Sequence, residues 1–252
     1  MSYLHGKFVW FEHVSNDIAK ARAFYGALFG WRSDAVPMGE QPYHLIKNGE
    51  QAIGGFRPAP PGVQSHWLSY LSVPDVDASF KGATAAGAKA LMPPTDFPPA
   101  GRGAALADPT GAAFAIWKGA TEDRPDAEKT ATGDWFWNEC WTPDDKKALG
   151  FYESVFGFAH EAMDMGPQGT YFVLKADGKP RAGLMKSTEA KAPPMWLPYV
   201  AVADCDASAG KATSLGAQVV VPPTDIPEVG RFAVLIDPCG GALAVIRSAR
   251  GA

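Results

Sequence analysis

Apolar and polar positions follow strand and helix periods in turn along the chain. Residues 8–14 are aromatic and β-branched, which predicts a strand whose successive side chains point to opposite faces. Asp17 can cap the helix that follows, whose apolar residues recur at helical spacing until Gly30. The same criteria predict strands at 43–46, 52–56 and 67–73, a helix at 75–87, and a hairpin formed by 103–108 and 112–117.

This pattern of elements occurs twice. Trp10 and Glu12 recur as Trp137 and Glu139, at an offset of 127 residues. The segment 93–96 (Pro-Pro-Thr-Asp) recurs at 222–225, at an offset of 129, so two one-residue insertions align the copies. An internal repeat of this length indicates a duplicated module. We predict a first module at 1–118, a polar linker at 119–132 and a second module at 133–252.

Composition narrows the classes of partner. The chain has 252 residues, of which 46% are hydrophobic, and a formal net charge of −4. It lacks the basic stripe that phosphate binding needs, so we expect no nucleic-acid partner. No stretch approaches the roughly 18 apolar residues of a membrane span, and the first residues do not form a signal peptide. Three cysteines, an odd number, argue against a disulfide framework. We therefore expect a cytoplasmic protein.

Several motifs together resemble a known family. They are Asp17 with Phe24-Tyr25 and Phe29-Gly30-Trp31, then Val73-Pro74-Asp75 and Asp108-Pro109-Thr110-Gly111, and their counterparts in the second module. On these motifs the chain is identified as a member of the glyoxalase, bleomycin-resistance and extradiol-dioxygenase superfamily, whose fold is called the vicinal-oxygen-chelate fold. The resemblance implies an α+β protein of two tandem glyoxalase-like modules. Each would be built of paired βαβββ-type units that form a curved, cup-shaped sheet with helices outside.

The resemblance also implies four strand positions at which metal-dependent members hold a divalent ion. Three of them fall, in the first module, at Trp10 or Glu12, near Leu68, and at Ala115, and in the second at Trp137 or Glu139, Leu197 and Ala244. Apolar side chains do not bind such ions. We therefore expect no cofactor, with Glu12 and His66 as the candidates for a divalent metal if one binds.

Residues retained in both modules provide the candidate site. Glu12 and Glu139 lie mid-strand between aromatic residues, where an unpaired charge is costly, so each pairs with an arginine, lines a pocket or transfers protons. We predict these two as catalytic residues. The predicted ligand-binding residues are Trp10, Trp67, Tyr70 and Arg102 in the first module and Trp137, Trp196, Tyr199 and Arg231 in the second. The tryptophans could equally fill the core, and the arginines could form ion pairs that hold the proline-rich loops.

Three functions remain open because this superfamily contains both enzymes and binding proteins. The first is a lyase or isomerase like lactoylglutathione lyase (glyoxalase I), acting on a small carbonyl compound or its thiol adduct, with Glu12 or Glu139 as the base. The second is a metal-free protein of the bleomycin-resistance type that binds an aromatic or cationic small molecule. The third is an extradiol dioxygenase, which needs two histidines and a carboxylate. In each case we expect a small-molecule ligand, and two modules that pack on each other in a monomer or homodimer.

Overall fold

The structure, a computed structural model, describes residues 3–38, 42–187 and 192–249, and each repeat contributes one eight-stranded mixed sheet. The first sheet is formed by β1 (Phe8–Ser15), β2 (Arg32–Val36), β3 (Tyr43–Asn48), β4 (Gln51–Pro58), β5 (His66–Ser72), β6 (Lys89–Phe97), β7 (Gly101–Ala107) and β8 (Ala113–Gly119). The second is formed by β9 (Trp135–Thr142), β10 (Ala159–Asp164), β11 (Thr170–Ala176), β12 (Lys179–Lys186), β13 (Met195–Ala201), β14 (Gln218–Ile226), β15 (Gly230–Ile236) and β16 (Ala242–Ser248).

The two sheets have the same strand order. It is β2-β3-β4-β1-β5-β8-β7-β6 in the first and β10-β11-β12-β9-β13-β16-β15-β14 in the second. Strand β1 pairs in parallel with β4, and β5 with β8, whereas consecutive strands such as β3 and β4 pair antiparallel. Each half of a repeat therefore consists of a strand, a helix and three further strands, which confirms the βαβββ units that the resemblance implied.

The described residues form four α-helices, of which the first and the third begin and end where the sequence predicted. They are α1 (Ile18–Phe29), α2 (Val76–Ala85), α3 (Asp145–Phe156) and α4 (Cys205–Ser214). The Asp17 side chain accepts a hydrogen bond from the backbone of Lys20, and Gly30 ends α1 in the left-handed conformation at φ 74°. Asp144 and Gly157 do the same for α3. Helix α2 is shorter than the predicted 75–87, because Ala86 and Gly87 already close its last turn.

Four strands at the edges of the sheets were not predicted: β2, β6, β10 and β14. All six residues of β10 are exposed, so its sequence has no apolar alternation to read. The segments around Pro93-Pro94 and Pro222-Pro223, interpreted above as loops, belong to edge strands β6 and β14. In both strands the register shifts at the prolines, and an edge strand tolerates residues that cannot donate to the ladder.

The described chain divides into two compact units that cut across the repeats. The first contains the residues up to Val9, Leu68–Asp126 and Trp137–Trp196, and the second contains Trp10–Trp67, Ala127–Phe136 and the residues from Leu197 onward. Each unit thus joins one half of the first repeat to one half of the second. The module boundaries predicted from the sequence coincide with the repeat and with the strands of each sheet. As boundaries of folded domains they stay a prediction.

Each unit has its own aromatic core on the helix-covered face of the strands. In the second unit Tyr25 of α1 packs edge-to-face on His13 and Trp67, with ring centroids 5.6 and 5.2 Å apart. In the first unit Tyr152 of α3 packs on Trp196 at 5.2 Å. Burial of these large rings supplies much of the hydrophobic stabilisation of either unit. Alternate residues of the same strands point to the opposite face.

Part of the predicted linker is held by ion pairs of the first unit. Asp126 contacts Lys7, Lys179 and Arg181 at 3.2, 3.1 and 2.8 Å. Burial opposes ionisation, but hydrogen bonds from Arg181, Lys179 and Lys7 outweigh it and lower the pKa of Asp126 to about 2. This end of the linker is thus attached to the first unit rather than solvated throughout.

Candidate functional site

On β1, Glu12 is the last of three side chains that are connected in series by hydrogen bonds. The Trp10 indole Nε1 donates to the Tyr43 hydroxyl at 2.9 Å, and that hydroxyl donates to Glu12 Oε1 at 2.9 Å. Alternation along β1 places Trp10 and Glu12 on one strand face, as the sequence predicted, and Tyr43 reaches them from β3. The Glu12 carboxylate is buried and has a defined orientation. We call this arrangement the Trp–Tyr–Glu chain.

The second repeat contains the same arrangement. Trp137 Nε1 donates to the Tyr171 hydroxyl at 2.9 Å, and Tyr171 donates to Glu139 Oε2 at 2.7 Å. Sequence reasoning named the tryptophans and glutamates but missed both tyrosines. The repeat could have identified them, because Tyr171 follows Tyr43 by 128 residues, which is also the offset between Gly55 and Gly183.

Two glycines make room for the tyrosine hydroxyls. Gly55 pairs with Glu12 in the β1–β4 register, and Gly183 pairs with Glu139 in the β9–β12 register. A Cβ atom at either glycine would overlap the hydroxyl of Tyr43 or Tyr171. The absence of a side chain at these positions is therefore a requirement of the Trp–Tyr–Glu chain.

Burial raises the pKa of Tyr43 and of Tyr171 well above the usual range, and the neighbouring glutamate charge raises it further. Both phenols stay protonated at neutral pH and serve as hydrogen-bond donors to the carboxylates.

The two glutamates differ in their remaining neighbours. Arg57 of β4 forms an ion pair with Glu12 through its Nε. In the second repeat Met185 stands at the position of Arg57, and Trp141 stands at that of Val14. Trp141 Nε1 donates to Glu139 Oε1 at 2.5 Å. We call the group of Trp10, Glu12, Tyr43 and Arg57 the Glu12 site, and the group of Trp137, Glu139, Trp141 and Tyr171 the Glu139 site.

Trp67 and Trp196 lie in the helix-side cores rather than with the glutamates. Trp67 Nε1 donates to Tyr25, whose hydroxyl donates to Asp237 Oδ2 at 2.6 Å, and His13 Nε2 lies 2.7 Å from the same oxygen. In the other unit Trp196 donates to Tyr152, which donates to Asp108. The structure thus places these two tryptophans in the core, which the sequence analysis gave as the alternative to ligand binding. Contact between either tryptophan and a ligand stays a prediction.

Tyr70 and Tyr199 are buried, and their rings contact Trp117 and Phe232, with centroids 6.1 Å apart in both pairs. They pair in register with Ala115 and Ala244, two of the positions at which the resemblance implied metal ligands. Their ligand role stays a prediction.

Arg102 and Arg231 form surface ion pairs. Arg102 contacts both Asp77 oxygens at 2.8 and 2.9 Å and Asp96 at 2.8 Å. Arg231 repeats this with Asp206 at 2.7 and 2.9 Å and with Asp225 at 3.0 Å. The ion pairs foreseen as the alternative role of these arginines are therefore present, and they join the edge strands to α2 and α4.

The residues at the expected metal positions do not fit a divalent ion. Leu68 and Ala115 have no donor side chain, the hydroxyl of Tyr43 already donates to Glu12, and Arg57 pairs with the same carboxylate. His66 Nδ1 lies 2.9 Å from the carbonyl of Gln64, and burial lowers its pKa. Across residues 3–38, 42–187 and 192–249, no three His, Cys, Asp or Glu side chains come together as a metal site.

Comparison with known proteins agrees with this architecture. A family model described as "Glyoxalase/Bleomycin resistance protein/Dioxygenase superfamily" matches residues 7–116 and 138–245. The chain therefore belongs to this superfamily, and each repeat contains one match. In the described residues no helix has the length and apolar character needed to cross a membrane.

Relatives with known names match nearly the full chain. A protein of Mycobacterium tuberculosis (strain CDC 1551 / Oshkosh), "Putative glyoxylase CFP32", is 38% identical over 98% of this chain and 97% of its own length. The anthracycline biosynthesis protein DauV of Streptomyces sp. (strain C5) is 35% identical over 94% of this chain and 91% of its own. The anthracycline biosynthesis protein DnrV of Streptomyces peucetius is 34% identical over 96% and 93%.

Solved structures show the same fold at low identity. The Mn(II)-bound glyoxalase from Novosphingobium aromaticivorans superposes with a TM-score of 0.66 at 17% identity, covering 96% of this chain and 82% of that one. The 2,3-dioxygenase LapB from Pseudomonas sp. KL28 gives 0.64 at 12% identity, covering 98% and 92%. At such identities the likeness extends to the fold alone.

Proposed function

We propose that this chain is a small-molecule-binding protein whose Glu12 and Glu139 sites take aromatic ligands without a divalent metal. The observation that carries the proposal is the Trp–Tyr–Glu chain, built twice from the same residue types with a glycine that makes room for it. Duplicated polar groups on a strand face that is not packed against a helix suit recognition, because they orient a ligand that stacks on the tryptophans.

Binding is favoured over proton transfer by the state of the carboxylates. Both oxygens of Glu12 are engaged, by Tyr43 and Arg57, and both oxygens of Glu139 by Trp141 and Tyr171. A general base must lie within hydrogen-bond reach of the proton it removes, so an engaged carboxylate would have to exchange a donor for the substrate. A bound ligand instead needs only the exposed parts of the tryptophans and tyrosines.

The relatives DauV and DnrV support an aromatic ligand, because they are named as anthracycline biosynthesis proteins and anthracyclines are planar polycyclic aromatic compounds. We therefore propose a planar aromatic ligand class for this chain.

The test is a titration with an uncharged anthracycline aglycone, followed by isothermal calorimetry and tryptophan fluorescence. We expect binding that survives dialysis against a chelator, and purified protein with less than one equivalent of transition metal. Tyr43→Phe and Tyr171→Phe should weaken binding, since each releases a glutamate from its orienting donor. A protein that needs a stoichiometric metal ion to bind would contradict the proposal.

A second candidate is a lyase or isomerase that acts on a small carbonyl compound or its thiol adduct, with Glu12 or Glu139 as the base. The observation in its favour is the 38% identity to CFP32, a relative that is named as a glyoxylase. Turnover of the hemithioacetal of methylglyoxal and glutathione, with and without added Mn²⁺, Ni²⁺ or Zn²⁺, tests it. Turnover that is lost in Glu12→Gln or Glu139→Gln would favour this enzyme over the binding protein.

The third candidate function is that of an extradiol dioxygenase. Its iron needs two histidines and one carboxylate, and the described residues bring no such set together.

A further inference from the structure

The Glu139 site contains more aromatic side chains than the Glu12 site. Trp137 and Trp141 flank Glu139 on the same face of β9, two residues before and after it, so their Cα atoms lie roughly 13 Å apart along the strand. Both tryptophans are partly exposed, whereas the glutamate between them is buried. In the first repeat Val14 stands where the second has Trp141, and its side chain is fully buried. The Glu139 site therefore presents two indoles and the Glu12 site one.

A row of neighbouring side chains extends this surface across three strands. Tyr171 of β11 pairs in register with Met185 of β12, and Met185 pairs with Trp141 of β9. All three residues are partly exposed. The flexible thioether of Met185 adapts to an aromatic ring and attracts it. In the first repeat the residues paired at these two positions are Arg57 and Val14, so the apolar surface there is smaller.

Hydrogen bonds fix the orientation of both indoles. Trp141 Nε1 donates to Glu139 Oε1. Trp137 Nε1 donates to the Tyr171 hydroxyl, which in turn donates to Glu139 Oε2. The N–H edge of each ring is thus directed toward the glutamate from its own side. Rings that are already oriented lose little freedom when a ligand stacks on them, so less of the binding energy is spent on ordering them.

We propose that the Glu139 site is the tighter of the two sites for an extended planar ligand of several fused rings, and that Trp141 is the residue that determines this preference. A ligand long enough to contact Trp137 and Trp141 together gains a second aromatic contact, which a single ring cannot reach at the same time. One aromatic contact typically changes affinity by about two- to tenfold beyond the effect of the area that it buries. This inference rests on the proposed function and adds the shape of the ligand at one of its two sites.

The experiment compares the uncharged anthracycline aglycone, whose rings are fused in a row, with 2-hydroxyacetophenone, which carries a phenol and a carbonyl on a single ring. Full-length protein labelled with 5-fluorotryptophan is titrated with each probe and followed by fluorine NMR, with the Trp10, Trp137 and Trp141 resonances assigned from tryptophan-to-phenylalanine variants. We expect the aglycone to shift the resonances of Trp137 and Trp141 with an affinity about tenfold higher than that measured at Trp10. The single-ring probe should bind the two sites with affinities that agree within about threefold.

Two variants test the ring of Trp141. Trp141→Val gives the second repeat the residue of the first, and should weaken aglycone binding at the Glu139 site about tenfold, as measured at Trp137. Trp141→Phe also removes the donor to Glu139 but retains an aromatic ring, and should weaken binding less than about threefold. Trp117→Val removes a partly exposed tryptophan from β8, outside both sites, and should leave the affinity of the Glu139 site unchanged.

An aglycone affinity at the Glu139 site that does not exceed the one at the Glu12 site would overturn the inference from the wild-type protein alone. So would equal losses in Trp141→Val and Trp141→Phe, because the ring would then not set the preference. A single-ring probe that prefers the Glu139 site as strongly as the aglycone does would also contradict it. The aglycone binds in all these outcomes, so the proposed function survives them. If the aglycone shifts no tryptophan resonance, the proposed function and the inference are both wrong.

Discussion

Glu12 and Glu139 occupy equivalent positions in the two repeats, but different residues lie beside them. Both accept a hydrogen bond from a tyrosine that itself accepts one from a tryptophan. Arg57 then pairs with Glu12, whereas Trp141 donates to Glu139 and Met185 takes the place of the arginine. The duplicated sheet thus retains the tyrosine that donates to each carboxylate and varies other residues beside it.

The largest effect should come from removing Arg57. Arg57→Met gives the first repeat the residue of the second, and leaves the buried Glu12 carboxylate without its guanidinium. Breaking a buried ion pair from one side typically costs about 3 kcal/mol or more of unfolding free energy. Urea denaturation of the variant measures the loss.

Arg57→Lys is the matched control, because it retains a positive charge and should recover part of that stability. If Arg57→Met is as stable as the wild type, the ion pair contributes nothing to folding.

The next effect is expected at the two glycines. In Gly55→Ala and Gly183→Ala the new methyl group displaces the hydroxyl of Tyr43 or Tyr171, so a buried carboxylate loses a donor. A loss of about 1–3 kcal/mol is typical for an unsatisfied buried group. Aglycone binding at the altered site should weaken as well.

Gly82→Ala serves as the control for these variants. It lies in helix α2 with open space around the added methyl, and alanine is the better helix former, so we expect equal or slightly higher stability. If Gly55→Ala and Gly183→Ala behave like this control, the tyrosines have other positions available to them.

A smaller effect, which depends on pH, is expected at Tyr43 and Tyr171. Their pKa is raised in the folded protein above the unfolded value of 10.0, chiefly by burial. A raised folded pKa means that their stabilising contribution is complete below pH 10 and is lost as the pH rises beyond it. Tyr43→Phe and Tyr171→Phe should each make the alkaline decrease of unfolding free energy less steep.

Both folded pKa values lie well above the unfolded value, so the two variants should change the slope by similar amounts. Thermal denaturation between pH 8 and pH 11 provides the comparison. Unaltered slopes in both variants would mean that the phenols are not protected from ionisation.

The smallest effect is expected at Arg102 and Arg231. Two aspartates hold each guanidinium at the surface, so alanine substitutions should weaken aglycone binding less than twofold, as measured by calorimetry. A tenfold loss of binding would restore the ligand role predicted for these arginines from the sequence.

Part of the site could be read from local sequence. The repeat identified Trp10, Glu12 and their counterparts, and strand alternation placed tryptophan and glutamate on one face. Alternation could not orient Trp67 or Trp196, because β5 and β13 are buried on both faces. The edge strands escaped prediction for the opposite reason, since exposed or proline-containing strands have no apolar alternation.

The sequence by itself determined the duplication, the alternation of a strand, a helix and further strands, and the ends of α1 and α3. These depend on periodicity and on capping residues that contact their own neighbours. Only the tertiary structure decided which side chains meet the glutamates and how the repeats are divided between two compact units. Tyr43 reaches Glu12 across 31 residues and Asp237 reaches His13 across 224, and contacts at such separations are set by sheet register and packing rather than by any local pattern.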